Sequence, residues 1–279
     1  MRALCEPVLI GSGAALEWHA RASRLSLKKI RFVETAPREF HLGEVHADNG
    51  RAALDAARTA IEGALAGEYA AVVAAPHSEA AIHAAGIAFD GYPSFVARTA
   101  GLPAEHGILM LCFRDVRIAH VTLHAAVRRA VEMISTDRVL RTIRAVHEFL
   151  DNPRIAVSGL NPHAVGDEEE RFIKPAIAAA QGQGIRVDGP IGADTLLQRQ
   201  GYDAHVVMLH DQGHVAAKAL APHGAAALTI GTPVLFASVA HGAAFEIAGR
   251  NRASAAAMVE AITRLVSRRR RVAKTKKRT

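Results

Sequence analysis

Cysteine is scarce in this chain. Cys5 and Cys112 are the only two, far apart in sequence, so no disulfide framework is available and a reducing, cytoplasmic setting is expected. Long apolar runs are missing too: none approaches the roughly 20 residues that a membrane-spanning helix needs. The first residues, MRALCEPVLIGSG, hold one Arg, then Glu6 and a short apolar stretch, which is not the shape of a secretory signal. Neither G-x-S-x-G nor a cysteine in a polar setting occurs, which argues against nucleophilic hydrolysis. There is no P-loop, and no G-x-G-x-x-G follows a strand, so any dinucleotide binds without the Rossmann fingerprint. Internal repeats and low-complexity linkers are also absent.

The charge of +7 is local. Arg268, Arg269, Arg270, Arg271, Lys274, Lys276, Lys277 and Arg278 place eight positive charges in the tail, leaving −1 for the rest of the 279 residues. Such a run reads as a solvated, disordered end over 268–279 rather than a nucleic-acid or membrane face. Half of the chain is apolar, enough to bury a large core, and its length suits two α/β subdomains better than one.

Strand-like and helix-like patterns alternate. EPVLIGSG reads as a short strand before a helix at AALEWHARASRL. NGRAALDAARTAIEGAL has amphipathic spacing, GEYAAVVAAP reads as a buried strand, and SEAAIHAAG as a helix closed by Gly86. GILMLCF and VRIAHVTLH, split by Arg114-Asp115, suggest a hairpin or a bulged pair. A helix over 125–150, a strand at 154–160, a helix at 168–182, a short strand at 185–187 and strands at AHVVML, ALTIG and PVLFASV follow. A last helix covers 253–267. This order argues for a mostly parallel sheet covered on both faces.

Four of the strand-like runs end on histidine, at His77, His124, His163 and His210. The carboxyl ends of strands form the ligand side of an open α/β sheet, and histidine is the commonest metal ligand. A strand-end histidine seen alone more often just bonds backbone. In LNPHAVGDEEE, Pro162 stiffens the approach to His163, and the acidic run reads as a helix start. The densest group is LHDQGHVAAK, where His210, Asp211, His214 and Lys218 join a potential ligand, a carboxylate to orient it and a cation for an anionic substrate. So polar a cluster after AHVVML would be costly to bury without a task. Asp194, in GPIGADTLL, reads either as a helix N-cap or as a proton-shuttling acid.

Taken together, LNPHAVG, GADTLL, MLHDQGHVAAK, LTIGTPV and SVAHGAAFEIAGRNRA resemble the 4-hydroxythreonine-4-phosphate dehydrogenase (PdxA) family over most of the chain. The resemblance implies an isocitrate/isopropylmalate dehydrogenase-like fold, with two α/β/α subdomains around a central cleft. The expected division is 1–95 plus 225–267 on the cofactor side and 96–224 on the metal and dimer side. It further implies a homodimer, NAD, and a divalent metal whose identity (Zn, Mg, Co, Mn or Fe) stays open, on His124, His163 and His210. His241, Gly242, Ala243 and Ala244 match a cofactor loop for the adenosine end of NAD, and Lys218 matches a substrate-binding lysine.

Departures from that family bear on the substrate. Tyr92-Pro93 stand in place of a His-Thr pair, Ala227 in place of an Asn and Phe236 in place of an Arg, all groups that a phosphate dianion would use. The same segments resemble more closely the terephthalate 1,2-cis-dihydrodiol dehydrogenases, which oxidise and decarboxylate a cyclic diol dicarboxylate in aromatic catabolism. On that reading Lys218 and Arg128 hold carboxylates, Tyr92 and Phe236 face the ring, and Asp194 or Asp211 takes the hydroxyl proton. The family's opening strand with its G-D-P-x-G-I-G-P-E loop is not matched here, so the first strand is expected to be missing. The alternatives are 4-hydroxythreonine-4-phosphate oxidation, or a non-catalytic metal- or ligand-binding relative.

Overall fold

Met1–Asp90 together with Val234–Thr279 make up one unit of the fold, and Gly91–Pro233 the other. The breaks at 90/91 and 233/234 differ from the expected 95/96 and 224/225 by five and nine residues. The structure, a computed structural model, describes residues 4–36, 38–222 and 224–275. The first unit opens with β1 (Val8–Gly11), α1 (Gly13–Ala22), β2 (Arg31–Glu34), α2 (Ala47–Leu65), β3 (Val72–Val73) and α3 (Glu79–Ala84). The second runs through α4 (Tyr92–Thr99), β4 (Ile108–Phe113), β5 (Val116–His120), α5 (Val127–Glu132), α6 (Thr136–Leu150), β6 (Ile155–Ser158), α7 (Lys174–Gly182), β7 (Val187–Ile191), β8 (Ala204–Val207), α8 (His210–Leu220) and β9 (Ala226–Ile230). The chain then returns to the first unit with β10 (Phe236–Val239) and α9 (Ala256–Thr275).

In the first unit β1 pairs parallel with β2, Val8 opposite Arg31, and β10 pairs parallel with β3, Phe236 opposite Val72. Side chains satisfy the free amides that begin its helices: Ser12 Oγ accepts from Ala15 N–H, Ser78 Oγ from Ala81 N–H, and His46 Nδ1 from Asp48 N–H. The strand expected along GEYAAVVAAP shrinks to Val72–Val73. The last helix runs through 268–275, a stretch expected to be disordered. Residues 276–279 lie outside the described residues.

The second unit is a sheet in the order β9-β4-β5-β8-β6-β7. From β5 outward every pairing is parallel, whereas β4 is antiparallel to both β5 and β9. The two-residue turn at Arg114-Asp115, with Arg114 at φ 48°, sets that direction, because so short a link can join only antiparallel neighbours. β4, β6, β8 and β9 are buried along their whole length. They read as continuous apolar runs because both faces are covered. α6 packs on β5, β8 and β9 through a stripe that includes Val139, Ile143 and Val146, and α8 packs on β4, β5 and β8. The single helix expected over 125–150 is two, because Ser135 turns to an extended backbone and its hydroxyl accepts from Arg138 N–H to start α6. Among the described residues, no helix is long and apolar enough to cross a membrane.

Candidate active site

β5, β8 and β6 are adjacent parallel strands, with His120 opposite Val207 and Val206 opposite Val157. Their carboxyl ends therefore lie side by side, and the connections leaving them carry His124, His210 and His163. β7, next to β6, leads to Asp194. The histidines are not the last strand residues, as expected, but lie beyond the strands. Past β5, Val121 N–H donates to Val207 O, Thr122 N–H to Met208 O, and Thr122 Oγ1 to Met208 O at 2.7 Å. These bonds carry the chain to His124 alongside the segment that reaches His210, the first residue of α8. His77, the fourth run-end histidine, lies in the first unit with its ring 5.0 Å from Phe89.

Four imidazoles gather at this edge. The His124 and His210 rings are 5.3 Å apart, His210 stacks on His214 at 3.6 Å with 11° between planes, and His120 lies 5.0 Å from His214. His120 is 1% exposed. Its Nδ1 meets Leu109 O at 3.3 Å, and its buried Nε2 has no hydrogen-bond partner. Burial, joined by the neighbouring His214, pushes the His120 pKa down to about 3. Burial, and then His210, push His214 down to about 4. Both rings are therefore neutral at neutral pH, so they leave room beside His210 for a cation from outside. Gly213 makes the approach possible: a Cβ there would lie 2.2 Å from His120 Nε2.

Other groups hold the ligand side chains in place. Asp211, itself exposed, pairs its Oδ1 with His210 Nδ1 at 2.7 Å. The hydrogen bond from His210 and that ring's charge hold the Asp211 carboxyl below its usual range. This is the carboxylate–histidine arrangement that fixes a tautomer and leaves Nε2 free for a metal. Gln212 straps two strand ends together, since its Oε1 accepts from Met208 and Leu209 N–H while its Nε2 donates to Gly159 O. His163 and Ala164 both sit in the left-handed region, at φ 58°, which is costly for residues with a Cβ. Glu169 holds that loop: fully buried, it accepts from Leu160 N–H, Asn161 N–H and Asn161 Nδ2. Burial raises the Glu169 pKa, but these bonds outweigh it and hold the carboxyl below its ordinary value. The acidic run thus supplies a loop clamp as well as a helix start.

The remaining expected residues are placed as follows. Asp194 is exposed, and Thr195, not Asp194, precedes the short helical turn Leu196–Gln198. A Cβ on Gly192 would lie 2.8 Å from Asp194 Oδ1 and 3.6 Å from His163 Cα, so the carboxylate flanks His163. Lys218 is exposed two turns along α8 from His210, and Arg128 is exposed on α5. Tyr92 and Phe236 are buried, at 5% and 0% exposure, and burial pushes the Tyr92 hydroxyl up to about 12. The ligand atoms of His124, His163 and His210 do not lie within 4.8 Å of one another.

In the first unit, His241 and Gly242 follow β10 as exposed loop residues, and His241 Nδ1 meets Gly242 O at 3.1 Å. Ala244 is left-handed at φ 51°, and a Cβ on Gly242 would meet nothing within 4 Å. The loop is open to a ligand. Of the supporting groups, Gln212 stands in the polar cluster LHDQGHVAAK, but its part in tying strand ends together shows only in the structure. Nothing in the spacing of Asn161 and Glu169 marks the clamp.

Fold and site together define a mixed α/β protein with a polar, histidine-rich edge at the carboxyl ends of parallel strands. The chain belongs to the PdxA family: the family model described as pyridoxal phosphate biosynthetic protein PdxA matches residues 3–265. It is 42% identical over 233 residues to the 1,2-dihydroxy-3,5-cyclohexadiene-1,4-dicarboxylate dehydrogenase of Comamonas sp, covering 80% of this chain and 74% of that one. A 4-hydroxythreonine-4-phosphate dehydrogenase from Klebsiella pneumoniae superposes with a TM-score of 0.80 at 30% identity, covering 94% and 88% of the two chains. A terephthalate 1,2-cis-dihydrodiol dehydrogenase from Burkholderia xenovorans does so with a TM-score of 0.67 at 38% identity, covering 93% and 88%.

Proposed function

We propose that this chain is an NAD- and divalent-metal-dependent dehydrogenase that oxidises and decarboxylates a cyclic diol dicarboxylate, the terephthalate cis-dihydrodiol. The observation that carries the chemistry is the delivery of His124, His210 and His163 by three adjacent parallel strand ends. The 42% identity to the Comamonas enzyme supports the substrate.

The donor set fits a divalent ion. The His124 and His210 rings lie 5.3 Å apart with 57° between planes, His210 is oriented by Asp211, and neighbouring His120 and His214 stay neutral; the ligand atoms would draw together around the ion. His163 would complete the set. When bound, the ion supplies Lewis acidity toward the substrate hydroxyl and the nascent carbonyl. His241, Gly242, Ala243 and Ala244 form the open loop assigned to the adenosine end of NAD.

The chain's own groups divide the remaining work. Asp211 is committed to His210, so it positions that ring, and Asp194 is the acceptor of the hydroxyl proton. Lys218 and Arg128 supply cationic charge for the substrate carboxylates. NAD, when bound, would supply the hydride acceptor for the carbinol carbon, and Asp194 would take the hydroxyl proton. Loss of the adjacent carboxylate as carbon dioxide would leave its bonding pair in the ring as an aromatic phenolate, to which Asp194 would return the proton. The resemblance supports a homodimer as the working form.

The test is NADH formation by the purified protein on the terephthalate cis-dihydrodiol and on 4-hydroxythreonine 4-phosphate, each with and without chelator. Chelator-sensitive turnover of the diol alone is expected. Turnover of the phosphate alone would move the chain to the second substrate, a reading favoured by the Klebsiella pneumoniae superposition. Silence on both would leave a non-catalytic relative.

A further inference from the structure

His41, His46 and Asp48 lie in the first unit, where neither the cofactor loop nor the strand-end histidines use them. Among the described residues they are the one group of three histidine, cysteine or acidic side chains whose ligand atoms all fall within 4.8 Å of one another. His41 Nε2 is 3.9 Å and His46 Nδ1 3.6 Å from the same oxygen, Asp48 Oδ2, and the two rings are 3.5 Å apart. The His41 side chain is 19% exposed, yet its Nε2 is shut off from solvent and makes no hydrogen bond. A buried ring nitrogen without a partner is costly, and here it faces a carboxylate and a second imidazole. Glu39 Oε2, 3.7 Å from the same nitrogen, offers a fourth donor.

The loop is already shaped. Asn49 Oδ1 accepts from His41 N–H, and Asn49 Nδ2 donates to His41 O and Glu44 O, tying the segment between the two histidines to the start of α2. We infer that His41, His46 and Asp48, with Glu39 or water as fourth ligand, form a second metal site for Zn²⁺, separate from the proposed catalytic metal. Two imidazoles and a carboxylate select a borderline ion such as Zn²⁺ over Mg²⁺ or Ca²⁺, which take oxygen donors. Binding replaces the hydrogen bond from Asp48 N–H to His46 Nδ1 with a metal–nitrogen bond, and Asp48 keeps a negative charge at the positive end of α2. The ion would staple the loop to the helix.

The experiment is calorimetric titration of the full chain with Zn²⁺ in a His210→Ala background, which removes the proposed catalytic site from the count. One Zn²⁺ is expected to bind, with affinity lowered at least tenfold by His41→Ala and by Asp48→Asn, and no Mg²⁺ uptake is expected. Zn²⁺ binding that ignores both substitutions overturns the site, as does the lack of any binding. Because a variant can misfold, imidazole NMR of the unaltered chain gives a second reading: the His41 and His46 ring signals must shift on adding Zn²⁺. If they stay fixed the site is refuted, whatever becomes of the dehydrogenase reading.

Discussion

His41, His46 and Asp48 sit on one loop and the helix it enters, whereas His120 and His124 follow β5, and His210 and His214 open α8 after β8. The first group is gathered by a local turn and one asparagine. The second is gathered by strand register, with His120 opposite Val207, and then by the fit of Gly213 against His120. A local group tolerates damage to distant parts of the fold, and a register-built one does not. The register-built group gains a buried floor in return, which holds its inner rings neutral.

The largest expected effect comes from His210→Ala, which removes the ring held by Asp211 and stacked on His214. Turnover should fall by about a thousandfold or more through loss of metal assistance, while Zn²⁺ binding at His41 and His46 persists. Steady-state kinetics with metal analysis checks this, and normal activity would sink the catalytic metal assignment. Next comes Glu169→Ala, which leaves the amides of Leu160 and Asn161 without their acceptor in a half-buried loop. A stability loss of about 2–4 kcal/mol is expected, together with reduced turnover, because His163 loses the clamp on its left-handed backbone. Chemical denaturation measures the first, and a wild-type midpoint would show the clamp to be unimportant.

Gly213→Ala would place a methyl group on His120 and should cost about 1–3 kcal/mol. The change should leave Zn²⁺ affinity at His41 and His46 unaltered, a contrast that thermal melts and Zn²⁺ titration on the same variant would expose. The smallest effect is on pH dependence. Burial lowers the pKa of His120 and His205 in the folded chain, so the unfolded chain takes up protons first as pH falls below about 6.5. Their contribution to stability is full above that value and is lost as pH falls below it, for His120 down to about pH 3, by up to about 1.4 kcal/mol per pH unit for each ring. His205→Gln should flatten the slope of unfolding free energy just below about pH 6.5; an unchanged slope would place the titration elsewhere.

Much of the architecture was legible in the chain. Hydrophobic periodicity gave α2, the apolar runs gave β4, β6, β8 and β9, and Arg114-Asp115 marked the hairpin. The break between α5 and α6 was not, because a single serine cap does not interrupt the apolar spacing around it. Nor was the burial of Tyr92 and Phe236 legible, because the substitution pattern reports chemistry and only the tertiary structure sets exposure.

By itself the sequence determined which chemical groups this protein owns and roughly where along the chain each strand hands over to a loop. Those facts depend on residue type and on periods of two or 3.6, which are local. Tertiary structure alone decided which strand ends became neighbours, that Gln212 ties the end of β8 to Gly159, and that Gly213 seats against His120. Those outcomes depend on register, burial and hydrogen bonds between segments remote in the chain, for which no local pattern exists.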